Sequence, residues 1–174
     1  RSTGEVMGHA PSFGMAYAKA VLGAKQFMPE HSAALLTVND HDKGAIVRIG
    51  RELVALGFTL HATGGTAAAL ERAGVPVALV HKAADGRSPS TAELVASGRV
   101  SLVINTPLGS RAYTDGQALR AAALRNRVML VTTLTGASAM VEGLRELQRH
   151  RREDGELGLA VRSLQSYHEA ESQG

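Results

Sequence analysis

The residues of this chain best suited to chemistry fall where apolar runs stop. Thr63-Gly64-Gly65-Thr66 follows the apolar residues 58–60 and precedes the helix-forming Ala67-Ala68-Ala69-Leu70-Glu71-Arg72. Glycines between a strand and a helix open the backbone N–H groups to an anion, and the helix N-terminus adds partial positive charge. Thr63 and Thr66 bring hydroxyls to the same turn. By itself such a Gly-Gly pair is more often a tight turn before a capped helix. Other polar groups stand at the ends of other apolar runs: Thr37 and Lys43 around the end of 33–38, Lys82 after 75–80, and Asn105 and Thr106 after 100–104. Two ammonium groups, the donors of Thr63, Gly65 and Thr66, and the hydrogen-bonding side chains of Asn105 and Thr106 would together suit a phosphorylated small molecule with a sugar or carboxylate. The alternative is that both lysines are solvated and Thr63 only caps a helix.

The elements decide whether these groups can meet. Apolar residues at helical spacing predict helices over 12–25, 43–56, 66–73, 92–97, 113–126 and 137–149, with Ser12 and Asp42 at capping positions and Gly57 and Gly74 as stops. Apolar runs predict strands over 33–38, 58–62, 75–80, 100–104 and 128–132, the third tolerating Pro76 near its start. Residues 83–91, with Asp85-Gly86-Arg87-Ser88-Pro89, read as a loop. Strands that alternate with helices and are apolar throughout predict an α/β fold: a Rossmann-like three-layer sandwich, with about five parallel strands and helices on both faces. Right-handed crossovers then align the C-terminal strand ends on one edge, where the polar groups above converge. Residues 1–10 read as an extended leader, 11–150 as one domain, and 151–174 as a polar tail with a weak amphipathic stretch over 157–167.

Other constellations are weaker. His41 between Asp40 and Asp42 sits in one strand-to-helix loop, where such residues usually serve turns. His41, His61 and His81 lack the tight spacing of metal ligands. Arg149-His150-Arg151-Arg152 reads as a solvated helix end favoured by the macrodipole. With 19 basic against 16 acidic residues and aromatics at only 3%, the chain has neither the basic stripe nor the stacking platforms of a nucleic-acid binder. The absence of cysteine excludes disulfides and thiolate metal sites and fits a cytoplasmic protein. No apolar segment approaches the roughly 18 residues of a membrane span. The opening Arg1-Ser2-Thr3-Gly4-Glu5-Val6-Met7-Gly8 reads as a soluble piece cut from something longer.

These residues also carry a resemblance. Ser2-Thr3-Gly4-Glu5-Val6-Met7-Gly8 is similar to the junction that closes the second ATP-grasp unit of carbamoyl-phosphate synthetase large subunits. The chain from there to about Leu147 resembles the C-terminal allosteric domain of that subunit, which has the methylglyoxal-synthase-like fold. The landmarks are the Phe13–Lys25 helix, Asp42-Lys43, Gly57-Phe58, Ala62-Thr63-Gly64-Gly65-Thr66, Lys82, Asp85-Gly86-Arg87, Val103-Ile104-Asn105-Thr106-Pro107, Arg120 and Thr132-Thr133.

The resemblance implies a regulatory domain that binds a nucleotide such as UMP, with IMP competing. The phosphate would be held at Lys43, Thr63, Thr66 and Lys82, with Thr37, Asn105 and Thr106 also lining the pocket. Ornithine would act at a seam with the synthetase core at Thr133, its other ligands lying in parts of the subunit this chain lacks. The implied parent is an ATP-dependent ligase that uses Mg or Mn and makes carbamoyl phosphate from glutamine or ammonia, bicarbonate and ATP, for pyrimidine and arginine synthesis. Its other parts, the catalytic core and the glutaminase small subunit, are the implied partners, and no cofactor is expected in this domain. Pro107, Gly64 and Ser88 depart from some relatives, which leaves the phosphate positions in place and the effector open. The alternative is a methylglyoxal-synthase-type lyase acting on dihydroxyacetone phosphate. Against it, Gly86-Arg87-Ser88 and Asn105-Thr106-Pro107 stand where the resemblance to that enzyme would imply carboxylates for proton abstraction. A further alternative is a module that only mediates oligomer contacts.

Overall fold

The computed structural model describes residues 6–29, 33–106 and 110–151, and side chains throughout these except over 110–115. Residues 1–5 of the expected leader, the stretch 157–167 and almost all of the expected tail therefore lie outside the described residues. Five strands, β1 (Ala33–Val38), β2 (Thr59–Thr63), β3 (Ala78–Val80), β4 (Val100–Thr106) and β5 (Met129–Val131), form one sheet. All its pairings are parallel and the order is β3-β2-β1-β4-β5. Six α-helices are described: α1 (Phe13–Gly23), α2 (Lys43–Ala55), α3 (Gly64–Arg72), α4 (Thr91–Ala96), α5 (Ser110–Arg125) and α6 (Leu134–Arg149).

Both faces of the sheet are covered, which is why each central strand is apolar at consecutive positions. Ala34 and Leu36 of β1, with Leu102 and Ile104 of β4, join Ile46, Ile49 and Leu53 of α2, Leu70 of α3 and Met140, Val141 and Leu144 of α6 in one core. Ala33 and Leu35, with Val103, face the opposite way onto Leu94 and Val95 of α4 and Leu119 and Ala123 of α5. Each fully buried Leu or Ile contributes about 1.5–3 kcal/mol over leaving it in water. The core therefore fixes the direction of every strand end that matters to the site. Outside it, α1 packs on α6 with two glycines in the seam: a Cβ on Gly14 would meet the Glu142 carbonyl oxygen at 2.7 Å, and one on Gly143 would meet Tyr17 at 3.2 Å. The Ser12 hydroxyl accepts from the Met15 amide as the cap of α1 and donates to Glu146 of α6 at 3.0 Å.

The element order agrees with the sequence reading, and the boundaries differ for identifiable reasons. β3 keeps only the last half of the expected 75–80, because Pro76 has no N–H to give a ladder. α3 begins at Gly64 rather than Thr66, so Thr63 is the last residue of β2. β4 runs on through Asn105 and Thr106, which pair with Thr37 and Val38 of β1 and are strand residues rather than loop residues. Asp42 has helical backbone angles and makes no capping hydrogen bond. The cap belongs to Asn39, whose side-chain oxygen accepts from the His41 and Asp42 amides ahead of α2. α5 starts at Ser110 and α6 at Leu134, each three residues earlier than expected, and the Thr133 hydroxyl caps α6 by accepting from the Gly136 amide at 3.1 Å. Residues 83–91 contain a 3₁₀ turn at Ala83–Asp85 and a parallel bridge between His81 and Ser90. Ser90 then caps α4 together with Glu93.

Candidate functional site

The strand order turns back on itself at β1: the chain adds β2 and β3 on one side and returns to place β4 on the other. In an open parallel sheet such a reversal leaves a crevice beyond the C-terminal strand ends, because successive connections leave toward opposite sides. A cavity of about 580 Å³ lies there, and all eight residues singled out from the sequence line it: Thr37, Lys43, Thr63, Gly65, Thr66, Lys82, Asn105 and Thr106. They come from β1, β2 and β4, from the first turns of α2 and α3, and from the turn that follows the β3 end.

The buried part of this lining is knitted together. Thr63 Oγ1 donates to Thr37 Oγ1 at 3.0 Å, tying the end of β2 to β1. Thr66, only 1% exposed, accepts from the Val38 amide at 3.1 Å and donates to the Val38 carbonyl at 3.5 Å. Thr106 Oγ1 accepts from the Asn39 amide at 3.3 Å and from its side-chain Nδ2 at 3.2 Å. Three of the threonine hydroxyls are thus engaged in joining strand ends, while Thr37 and Thr106, which only accept, keep their hydroxyl hydrogens uncommitted among the described residues. Asn105 donates through Nδ2 to the Thr37 carbonyl at 3.3 Å, while its Oδ1 is buried with no hydrogen-bond partner among the described residues. A buried unpaired acceptor costs about 1–3 kcal/mol, so a donor brought by a ligand would recover that free energy.

The charged part sits at the α3 N-terminus and on the rim. Lys43 is three-quarters buried and its ammonium lies over Gly65: a Cβ there would stand 2.5 Å from Nζ, so only glycine allows the cation to approach the opening turn of α3. Gly64, Gly65 and Thr66 present the first amides of that helix, which have no partner within it. Lys43 also pairs with the carboxylate of Asp40, which is 88% exposed and held below the usual carboxylate range by the hydrogen bond and charge of Lys43. Lys82 lines the other side of the mouth from the turn after β3, its backbone amide donating to Asp85 at 3.2 Å.

The sequence reading misses Asn39, Thr91, Gly116 and Leu119 in the lining, and reads Asp40 and His41 as turn residues, which they are, without placing them in the cavity. Gly116 lies inside α5, where glycine costs about 1 kcal/mol relative to alanine, and that cost was the available signal. A Cβ at Gly116 would stand 3.0 Å from Asn105 Oδ1 and 3.1 Å from an Arg120 guanidinium nitrogen, so the glycine keeps this end of the cavity open. The imidazoles do not converge. His41 lines the cavity, whereas His61 is the middle residue of β2 and is absent from the lining. Its pKa is lowered by burial and by the charge of Arg99. Among the described residues no three His, Asp or Glu side chains form a group that could hold a metal. No helix among them is long and apolar enough to cross a membrane.

Comparison with known proteins agrees with this architecture. A family model described as "MGS-like domain" matches residues 45–132. The chain is 43% identical over 149 residues to a carbamoyl phosphate synthase large chain of Acidobacterium capsulatum, covering 86% of this chain and 14% of that one. It is 46% identical over 149 residues to its counterpart in Ralstonia nicotianae, with 85% and 14% covered, and 41% identical over 169 residues to that of Gemmatimonas aurantiaca, with 97% and 15% covered. The chain thus spans about a seventh of the length of these relatives. A crystal structure of methylglyoxal synthase from Elizabethkingia anophelis superposes with a TM-score of 0.54 at 21% identity, over 66% of this chain and 79% of that one, which shows the shared fold.

Proposed function

The chain belongs to the MGS-like domain family, and on that premise we propose that it is the C-terminal regulatory domain of a carbamoyl-phosphate synthetase large subunit, binding a phosphorylated nucleotide such as UMP or IMP. The observation that carries this reading is the convergence of Lys43, Lys82 and the opening turn of α3 on one cavity of about 580 Å³. That volume is within the range of small-molecule sites. The phosphate lies at the α3 N-terminus, held by the amides of residues 64–66, the two ammonium groups and the hydroxyl hydrogen of Thr37. Thr63, Thr66 and Thr106 act by holding the strand ends in place. The sugar or base reaches toward Asn105, whose Oδ1 takes a hydrogen bond from a ligand hydroxyl or N–H.

In this proposal residues 11–150 are the effector domain of a cytoplasmic enzyme. The ATP and Mg or Mn chemistry of the ligase belongs to the remainder of the polypeptide, and its catalytic core and glutaminase subunit are the partners. The effector alters the synthetase through unequal affinity for two conformational states. Ornithine acts at a seam beside Thr133, where the α6 cap uses a hydroxyl lone pair and leaves the hydroxyl hydrogen for a ligand carboxylate.

A lyase of the methylglyoxal-synthase type is the second reading, and the cavity offers it little. Among the described lining residues Asp40 is the one carboxylate, and the hydrogen bond and charge of Lys43 depress its basicity when a general base needs it raised. The test is thermal unfolding of the chain with UMP, IMP, ornithine and inorganic phosphate, alongside an assay for methylglyoxal from dihydroxyacetone phosphate. A ligand at a hundred times its Kd stabilises the folded state by about 2.7 kcal/mol. The proposal expects UMP or IMP to raise the midpoint and no methylglyoxal to form; no shift with either nucleotide would overturn the nucleotide reading, and turnover would revive the lyase.

A further inference from the structure

The anion cradle contains its own competitor. Lys43 is the cation that reaches the opening turn of α3, and its ammonium is held by Asp40, three residues earlier. Asp40 belongs to the 3₁₀ turn Asp40–Asp42, which Asn39 fixes from two directions: its side-chain oxygen accepts from the His41 and Asp42 amides, and its Nδ2 donates to Asp42 and Thr106. The carboxylate is therefore carried on a turn anchored to β4, not on a loose loop, and it lies at the rim of the same cavity. An oxygen of an anion bound to Lys43 and to the Gly65 amide would come within about 6 Å of the Asp40 carboxylate, because both would contact one ammonium group at hydrogen-bond distance. Two unit charges about 6 Å apart in a water-like medium change an equilibrium by roughly a factor of three per charge pair, and lowering the local dielectric raises that factor.

We infer that Asp40 is a specificity-determining residue of the cavity, competing with the bound anion for Lys43 and favouring ligands of low charge over more highly charged ones. This rests on the anion-binding reading above and adds to it a selection between anions. Asp40→Asn removes the competing charge while keeping the shape and an oxygen that can still accept from the three-quarters buried Lys43 ammonium.

The experiment is calorimetric titration of the 174-residue chain with inorganic phosphate, pyrophosphate and UMP at low and high salt, in wild type, Asp40→Asn, Lys43→Met and the double variant. Thermal unfolding confirms that each variant is folded, and Asp40→Ser serves as a second neutral variant. Asp40→Asn is expected to tighten phosphate and UMP by about three- to tenfold, to tighten pyrophosphate by a larger factor, and to lose both effects in the Lys43→Met background. High salt should shrink the difference. If wild type binds and Asp40→Asn binds no more tightly, or gains equally without Lys43, the competitor assignment is overturned while the anion site stands. If neither wild type nor Asp40→Asn binds any of the three probes, the anion-binding reading fails and this inference falls with it.

Discussion

The two sides of the cavity are built on opposite principles. On the β1–β2–α3 side the buried hydroxyls satisfy one another: Thr63 bonds Thr37 and Thr66 bonds the Val38 backbone. What this side offers outward is charge, from Lys43 and the first amides of α3. On the β4–α5 side the lining residues are uncharged and one acceptor is unmet: Gly116 leaves room in front of Asn105 and the Arg120 guanidinium, and Asn105 Oδ1 has no partner among the described residues. The first side suits any anion of phosphate size. Under the proposed function the second would select which phosphorylated molecule fits, since a ligand must be long enough to bring a donor across to Asn105. On that reading affinity and identity are divided between two pairs of elements.

The comparison breaks most sharply at the cations. Changing Lys43 and Lys82 together to Met is expected to weaken both inorganic phosphate and nucleotide by about a hundredfold or more, since charge-assisted hydrogen bonds contribute about 1.5–3 kcal/mol each. Equal losses for both ligands in a titration would support the anion side; a loss confined to the nucleotide would contradict it. Gly116→Val acts on the other side. Its side chain would collide with Asn105 and Arg120, so nucleotide affinity should fall about tenfold with inorganic phosphate binding nearly unchanged. Parallel loss of both ligands would mean that the two sides are not separable.

Thr66→Val tests the structural role given to the buried hydroxyls. It leaves the Val38 amide without its side-chain acceptor, and stability in urea should drop by about 1–3 kcal/mol. A stability change near zero, with a large loss of phosphate affinity, would instead make Thr66 a direct ligand.

The smallest effect concerns His61. Its pKa lies below its ordinary 6.5 in the folded chain, through burial and the charge of Arg99, so the unfolded chain binds more protons as the pH falls. Stability from this residue is fully present above pH 6.5 and is lost on acidification through the lower folded value. His61→Gln should flatten that part of the stability-against-pH curve, and an unchanged slope would show that another group sets it.

Much of this architecture is legible in the sequence because parallel strands buried on both faces leave continuous apolar runs, and polar residues at their ends stand out. Thr37, Lys43, Thr63, Thr66, Lys82, Asn105 and Thr106 are visible in that way. The family resemblance, carried by the same residues, gives the fold a second support. The features hidden from the sequence depend on contacts between distant segments. Thr63 looks like a helix cap, and only the adjacency of β1 shows that its hydroxyl serves Thr37. Asp42 looks like the cap of α2, yet Asn39 holds that turn because Thr106 stands beside it. Gly116 looks like a weak point in a helix until Asn105 is placed opposite it. Asp40 looks like one of several turn acids until Lys43 folds back onto Gly65.

The central claim is that the opening turn of α3 receives the phosphate of a nucleotide, and backbone amide NMR during a UMP titration tests it most directly. The account expects the largest shifts at the Gly65 and Thr66 amides, saturating together with shifts at Asn105 and Gly116. Shifts that leave residues 64–66 unmoved, or none at saturating UMP, would contradict it.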